Sequence, residues 1–275
     1  MNYDDPMAFL AATSIIAAIG VVISSLEMLA VRQHYGSGGL FSWEFHKSRL
    51  SASGRRRLSG VGGVLFEHRG ILLLLVVRIL AACTIPFVLT NRVHLLAAAA
   101  VVAVSSMLLT VRGTDGRNGA DEMHTIIFPA LSLSLLSDNA LALKAGLWFL
   151  ALQLNLSYLT SGIYKARERG WWDGSYLRMA FRTEAYGNEG LWKLLGERPR
   201  VGRVASVMVI VLECGFFLSL IVPLAYSWPI LVAGALFHIC NAVISGLNTF
   251  VWSYLALYPA VVFCNYAVQH ALAGK

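Results

Sequence analysis

An all-α, polytopic transmembrane bundle of about eight helices is the fold class that this 275-residue sequence predicts. Hydrophobic residues make up 57% of the chain and charged residues 13%, where a soluble domain carries about 25% charge. Apolar windows long enough to span a bilayer, about 20 residues each, fall at 8–30, 70–90, 93–111, 140–163, 201–226, 229–246 and 247–268. The charges concentrate between these windows. An eighth stretch, 123–137, is shorter and contains Pro129. At 1.5 Å per residue it reaches roughly 22 Å against a hydrocarbon core of about 30 Å, so it either spans or dips in.

The first window follows the acidic leader MNYDD and is long for the apolar region of a signal peptide, so it is expected to be a retained span. The segment 32–69 carries seven Lys/Arg against Glu44 and Glu67, the pattern of a cytoplasmic loop resting on anionic headgroups. Its glycines at 36, 38, 39, 60, 62 and 63 precede no Gly-Lys-Ser/Thr and read as turns. Asn91 and Arg92 make a tight hairpin between the second and third windows. Arg78 and Glu213 each lie near the middle of an apolar window, where a charge needs a partner. A structural Arg78–Glu213 ion pair is expected, with a proton relay as the alternative.

The glycine-rich stretch 112–122 precedes His124. Asp115, Asp121, Glu122 and His124 do not have spacing that shows convergent ligands, and acids capping a helix N-terminus explain them as well, so no metal is expected. Segment 165–203 holds nine Lys/Arg and five Asp/Glu interleaved with Trp171, Trp172, Tyr176, Phe181, Tyr186 and Trp192. That mixture suits short interfacial helices forming a lid-like element. His238, Asn241, Ser245 and Asn248 recur at spacings of three, four and three, one helical face. Helix–helix hydrogen bonding and catalysis explain that stripe equally well. Cys83, Cys214, Cys240 and Cys264 sit in apolar runs without CxxC spacing and read as core residues. The net charge of +7 lies in loops flanking apolar windows, so the expected partner is a bilayer with anionic headgroups and not nucleic acid. Eight spans with both basic loops in the cytoplasm place the N-terminus outside; a re-entrant 123–137 would invert everything after it.

The most informative stretch is YLTSGIYKARERGWWDG, residues 158–174. Lys165 follows Tyr158, Ser161 and Gly162 by about one helical turn. Its position at a membrane boundary is explained by snorkelling. Yet the pattern Tyr-x-x-Ser-Gly-Ile-Tyr-Lys followed by Trp171, Trp172 and Gly174 resembles the vitamin K-dependent gamma-carboxylase-like family, also called the horizontally transferred transmembrane domain family. Asp121-Glu-Met-His124 and Phe237-His238 with Asn241 and Gly246 resemble two further stretches of it. The resemblance covers roughly residues 70 to 265, within one membrane domain over 1–275.

It implies Lys165 as the base that deprotonates a reduced, vitamin K-like quinone, His124 as a catalytic histidine, and Tyr158, Trp171, Trp172, His238 and Asn241 around the substrate. Dioxygen and carbon dioxide would be co-substrates. Burial generally favours the neutral amine that such a base needs. The carboxylase carries a large extramembrane domain and this sequence ends just after its last window, so carboxylation of a protein glutamate is not expected. Three functions follow: a quinone-dependent membrane enzyme, a non-catalytic maturation or assembly factor for a secreted peptide or redox partner, or a small transporter using Arg78, Glu213 and His238. An inverted repeat would favour the third, and none is visible.

Overall fold

The computed structural model describes residues 5–274 apart from 37, 40, 46, 48–64, 114–118 and 185, and leaves out the side chains of 120 and 121. Arg49, Arg55, Arg56 and Arg57 of the basic loop, and the Asp115 and Asp121 carboxylates, therefore lie outside the described residues. Every described element is helical. The helices are α1 Pro6–Ala30, α2 His68–Thr84, α3 Arg92–Arg112, α4 Gly119–Leu135, α5 Ala140–Arg167, α6 Arg169–Trp172 and α7 Ser175–Ala180. They continue with α8 Glu189–Glu197, α9 Pro199–Gly215, α10 Leu218–Ile221, α11 Leu224–Ser245, α12 Asn248–Leu255 and α13 Tyr258–Leu272. Single 3-10 turns cover Arg32–Tyr35 and Ile85–Phe87.

Among the described residues, six stretches are long and apolar enough to cross a membrane: Pro6–Ala30, His68–Phe87, Arg92–Arg112, Ala140–Arg167, Leu224–Ser245 and Asn248–Leu272. The protein is an all-α membrane protein. The described chain divides into two compact units, residues 1–10 with 147–275, and residues 11–146.

In the unit 11–146, α3 packs against both α2 and α4. Its buried face is built from Leu95, Ala98, Ala99, Val102 and Ser106, at the three- and four-residue spacing of one helical stripe, while Val93, Val101, Val104 and Met107 are exposed. Small side chains on the packed face let helix backbones approach closely, which is how helices associate where apolar burial alone gives no drive. Arg112, at the end of α3, is only 3% exposed. It donates through Nε to the Phe66 carbonyl at 3.1 Å and through Nη2 to the Phe41 carbonyl at 2.6 Å, with its guanidinium 4.8 Å from the Tyr35 ring centre. One arginine thus ties together both ends of the segment between α1 and α2.

In the unit that contains 147–275, two expected spans are interrupted. The window 201–226 is not one helix: α9 stops at Gly215, α10 is a single turn, and α11 starts after Pro223. Pro223 has no N–H to continue a helix, and it drives the preceding Val222 into an extended conformation with φ −78° and ψ 155°. The window 247–268 also breaks, between α12 and α13, with Pro259 in the first turn of α13, but Ala256 and Leu257 keep helical dihedrals there and the apolar stretch runs on. α4 spans 17 residues with Pro129 inside it and stays shorter than the six long stretches.

A broken helix in an apolar environment leaves carbonyls that must find donors. The Ser219 carbonyl accepts from Asn265 Nδ2 at 2.9 Å and from Ser227 Oγ at 2.8 Å; the Val222 carbonyl accepts from Asn265 Nδ2 at 2.8 Å, and the Ile221 carbonyl from Gln269 Nε2 at 2.8 Å. Asn265 is fully buried on α13, so its amide replaces the helical donors that Pro223 removes. Asn265→Leu leaves the Val222 carbonyl without this donor at similar side-chain volume and is expected to cost about 1–3 kcal/mol. Denaturant unfolding in detergent, followed by circular dichroism, measures it; an unchanged midpoint would show that the break does not depend on this amide.

Candidate functional site

Three residues on one face of α5 begin the site. Tyr158, Ser161 and Lys165 follow one another at spacings of three and four, and Gly162 lies beside them. A Cβ at Gly162 would stand 2.7 Å from the Cys214 backbone nitrogen and 2.8 Å from its Sγ. Glycine is required here for a close approach of α5 to α9. One turn further on, that approach brings Lys165 Nζ to Glu213, at 2.9 Å from Oε1 and 2.7 Å from Oε2, while Nζ also donates to Ser161 Oγ at 2.5 Å. The side chains are 16% and 5% exposed. The Trp171 ring centre lies 5.2 Å from the ammonium, within cation–π range.

A second polar pair lies beside the first. Tyr158 Oη and His238 Nε2 are joined by a hydrogen bond of 2.8 Å, and both side chains are almost fully buried. Gly234, one turn before His238 on α11, makes the room: a Cβ there would meet the Tyr258 hydroxyl at 2.6 Å and the Tyr158 hydroxyl at 3.0 Å. The Tyr158 ring stacks on Phe216 at 3.9 Å between centres, and Tyr254 of α12 meets it edge-on at 5.5 Å. The Tyr254 hydroxyl is 2.8 Å from Ser157 Oγ. His238 Nδ1 is buried without a hydrogen-bond partner among the described residues.

Both pairs line one cavity of about 180 Å³, walled by side chains of α5, α9, α11 and α12 together with Leu247. Lys165, Glu213, Ser161 and Asn241 supply polar groups, and Phe237, His238, Phe250 and Tyr254 supply rings. Chemically, this is a small aromatic slot with a fixed charge pair in its wall. Of the expected site residues, Lys165 and, from the set expected around a substrate, Tyr158, His238 and Asn241 come together here. Sequence reasoning missed Ser157, Phe250 and Tyr254; the four-residue spacing of Phe250 and Tyr254 was the available signal.

The structure corrects one pairing. Where Arg78 was expected as the partner of Glu213, Lys165 holds that carboxylate, because Gly162 lets the lysine helix close on α9. Arg78 belongs to the unit 11–146, where its Nη1 donates to Ser25 Oγ at 3.3 Å. His124 belongs to that unit too: it is 2% exposed, lies within electrostatic reach of Arg78, and is not among the cavity's lining residues.

Of the described residues of the segment 165–203, Lys165 lines the cavity and Trp171 lies beside its ammonium. That segment is organised around α9. Gly174, at φ +82°, sits against the Gly202 and Arg203 backbone, where a Cβ would come within 2.5 Å of Gly202 C. Trp172, half exposed, donates its indole N–H to the Ala166 carbonyl at the end of α5 at 2.7 Å. Arg178 and Arg182 lie over Trp192 at 5.4 and 5.8 Å. Hydrogen bonds from the Ser175 hydroxyl and N–H hold the Asp173 carboxyl below the usual range, fixing the turn into α7.

No family model, curated protein or solved structure matches the chain.

Two outcomes follow from the charge pair and the glycine contact beneath it. Glu213→Gln is expected to cost about 3–5 kcal/mol because it leaves a buried ammonium without its counter-ion, whereas Lys165→Met with Glu213→Leu recovers most of the loss. A thermal-melt double-mutant cycle in detergent measures this, and strictly additive losses would show that the two side chains do not depend on one another. Gly162→Ala forces α5 away from Cys214 and is expected to cost about 1–3 kcal/mol. A melt indistinguishable from wild type would mean that the helices can separate freely at this point.

Proposed function

We propose that this protein is a membrane enzyme of the carboxylase-like type, in which the Lys165–Glu213 pair handles the hydroxyl proton of a reduced quinone. The observation that carries the reading is the convergence of Lys165, Glu213, Tyr158, His238 and Asn241 on one aromatic-walled cavity. It is supported by the resemblance of 158–174, whose Lys165 falls at the charged end of that cavity.

The residues present fit a quinol headgroup. A cavity of about 150 Å³ accepts one benzene ring, and this one is about 180 Å³, enough for a single ring carrying polar substituents. Typical pockets for larger ligands begin near 300 Å³, so any tail or further ring would extend outside. Phe237, Phe250 and Tyr254 would flank the ring; Asn241 and the Lys165–Glu213 pair would meet its oxygens. When bound, the quinol would supply the electrons for reaction with dioxygen. The protein's own part is to orient the ring, limit water and hold a proton on the charge pair.

The test is oxygen consumption by the full chain in nanodiscs supplied with a short-chain hydroquinone. Wild type is expected to consume oxygen above the uncatalysed rate, and the Lys165→Met/Glu213→Leu protein, once its melt shows that it is folded at the assay temperature, is expected to lose at least about two orders of magnitude of that activity, the scale of general acid–base catalysis. Equal rates in the two proteins would remove the enzymatic reading and leave a non-catalytic assembly factor for a secreted peptide or redox partner.

A further inference from the structure

We infer that Glu213 is the atom-level proton acceptor of this site and that Lys165 remains a fixed ammonium throughout. The inference rests on the reading of the cavity as a place where an acidic ring hydroxyl is bound, and it concerns which member of the pair changes state.

The count of donors decides it. A lysine ammonium has three N–H donors and no acceptor, whereas a carboxylate has only acceptors, about four lone-pair directions on two oxygens. Lys165 Nζ has three oxygens in hydrogen-bond range: Ser161 Oγ at 2.5 Å, Glu213 Oε2 at 2.7 Å and Glu213 Oε1 at 2.9 Å. That matches one N–H for each neighbour. A neutral amine would have two N–H groups and a lone pair among the same three oxygens, and could serve as a base toward the cavity only by turning away from them. Two near-equal contacts to both carboxylate oxygens are the geometry of an ammonium facing a carboxylate, since a protonated carboxyl would present a single O–H to the nitrogen. Nζ and the Ser161 hydroxyl together use only part of the roughly four lone-pair directions of the Glu213 carboxylate, and Glu213 lines the cavity.

Charge balance favours the same assignment. Before transfer, the Lys165 cation is balanced by the Glu213 anion. Glu213 then takes the proton: the O–H bond of the ring hydroxyl breaks, an O–H bond forms on Oε1 or Oε2, and the ring oxygen keeps the electron pair as an anion facing the Lys165 ammonium. No electrons are exchanged and the net charge of the group is unchanged. At no point is one charge left alone in a low-dielectric wall, which is the arrangement that costs most. A neutral Lys165 beside a carboxylate would leave Glu213 without its counter-ion, and a neutral Lys165 beside a protonated Glu213 does not match the two near-equal Nζ contacts to Oε1 and Oε2. Lys165 is on this view the charge that orients Glu213 and receives the anion, and Ser161 fixes its third donor.

The experiment uses the full chain in nanodiscs and 4-nitrophenol, a one-ring phenol whose anion is identified by its visible absorbance. Bound-minus-free infrared difference spectra are recorded in parallel, with carbon-13-labelled glutamate to identify side-chain carboxyl bands. The expected result is an ionised bound probe together with a new protonated-carboxyl band that shifts on glutamate labelling and is absent from Glu213→Gln. Lys165→Arg removes any amine base but keeps a fixed cation; it is expected to weaken binding yet still give the carboxyl band in the fraction that binds. An ionised probe in wild type without a carboxyl band, or un-ionised bound probe in Lys165→Arg, would overturn the assignment to Glu213 while leaving the site a proton-taking one. Failure of wild type to bind the probe, or binding without ionisation, would bring down the underlying reading and this assignment with it.

Discussion

The ion pair between Lys165 and Glu213 is the interaction on which the unit containing 147–275 depends. Removing one partner of a buried ion pair costs about 3–5 kcal/mol, and with side chains 16% and 5% exposed each of these residues depends on the other. The pair exists only because Gly162 carries no side chain, letting the α5 backbone close on Glu213 and Cys214. The carbonyl end of α5 adds a favourable field for a cation in its last turn. Trp171 covers the ammonium with its ring and Trp172 takes the Ala166 carbonyl, so the helix end is closed by the two tryptophans that follow it in sequence.

The interruption of the chain after Glu213 is the second constraint, and it serves the first. Had 201–226 continued as one straight helix, the residues after Glu213 would have carried the α-helical register onward. Instead α9 ends at Gly215, and Phe216 stacks flat on Tyr158. The cost is a set of carbonyls at 219–222 without helical donors, met by Ser227, Asn265 and Gln269. Polar side chains on α11 and α13 are therefore explained by backbone accounting, whereas Asn241 and His238, on the same α11, face the cavity.

How much of this was legible in the sequence follows from which interactions are local. Hydrophobic run length and charge depletion are properties of contiguous residues, and they located the six long helices to within a few residues. The break at Pro223 was legible in principle, because proline lacks a donor, but apolar side chains on both sides concealed it in the hydropathy. The stripe His238, Asn241 was legible as a face and ambiguous in purpose. The Glu213 partner was not legible: Arg78 and Lys165 are both cations in or beside apolar windows, and what separates them is a helix contact set by Gly162 against Cys214, 52 positions away in sequence. The family resemblance drew attention to Lys165 but gave no indication that a carboxylate would hold it, nor that Phe250 and Tyr254 would wall the same cavity.

Snorkelling was the ordinary explanation of Lys165, and the geometry gives a different one. A snorkelling lysine directs its nitrogen to water and leaves it exposed, whereas this side chain is 16% exposed and its nitrogen is saturated by three protein oxygens. The two cases differ in net charge. A snorkelling lysine adds a positive charge to the membrane boundary and attracts anionic headgroups. The paired lysine adds none, so the cavity wall is neutral overall but strongly polarised over a few ångströms. On the proposed reading, such a wall suits an uncharged ring carrying a hydroxyl group, because both charges formed on proton transfer would have a position to occupy. On that reading a free anion would have to displace Glu213 from Lys165 to gain the same contact, so the ligand is proposed to enter neutral and become charged only in place.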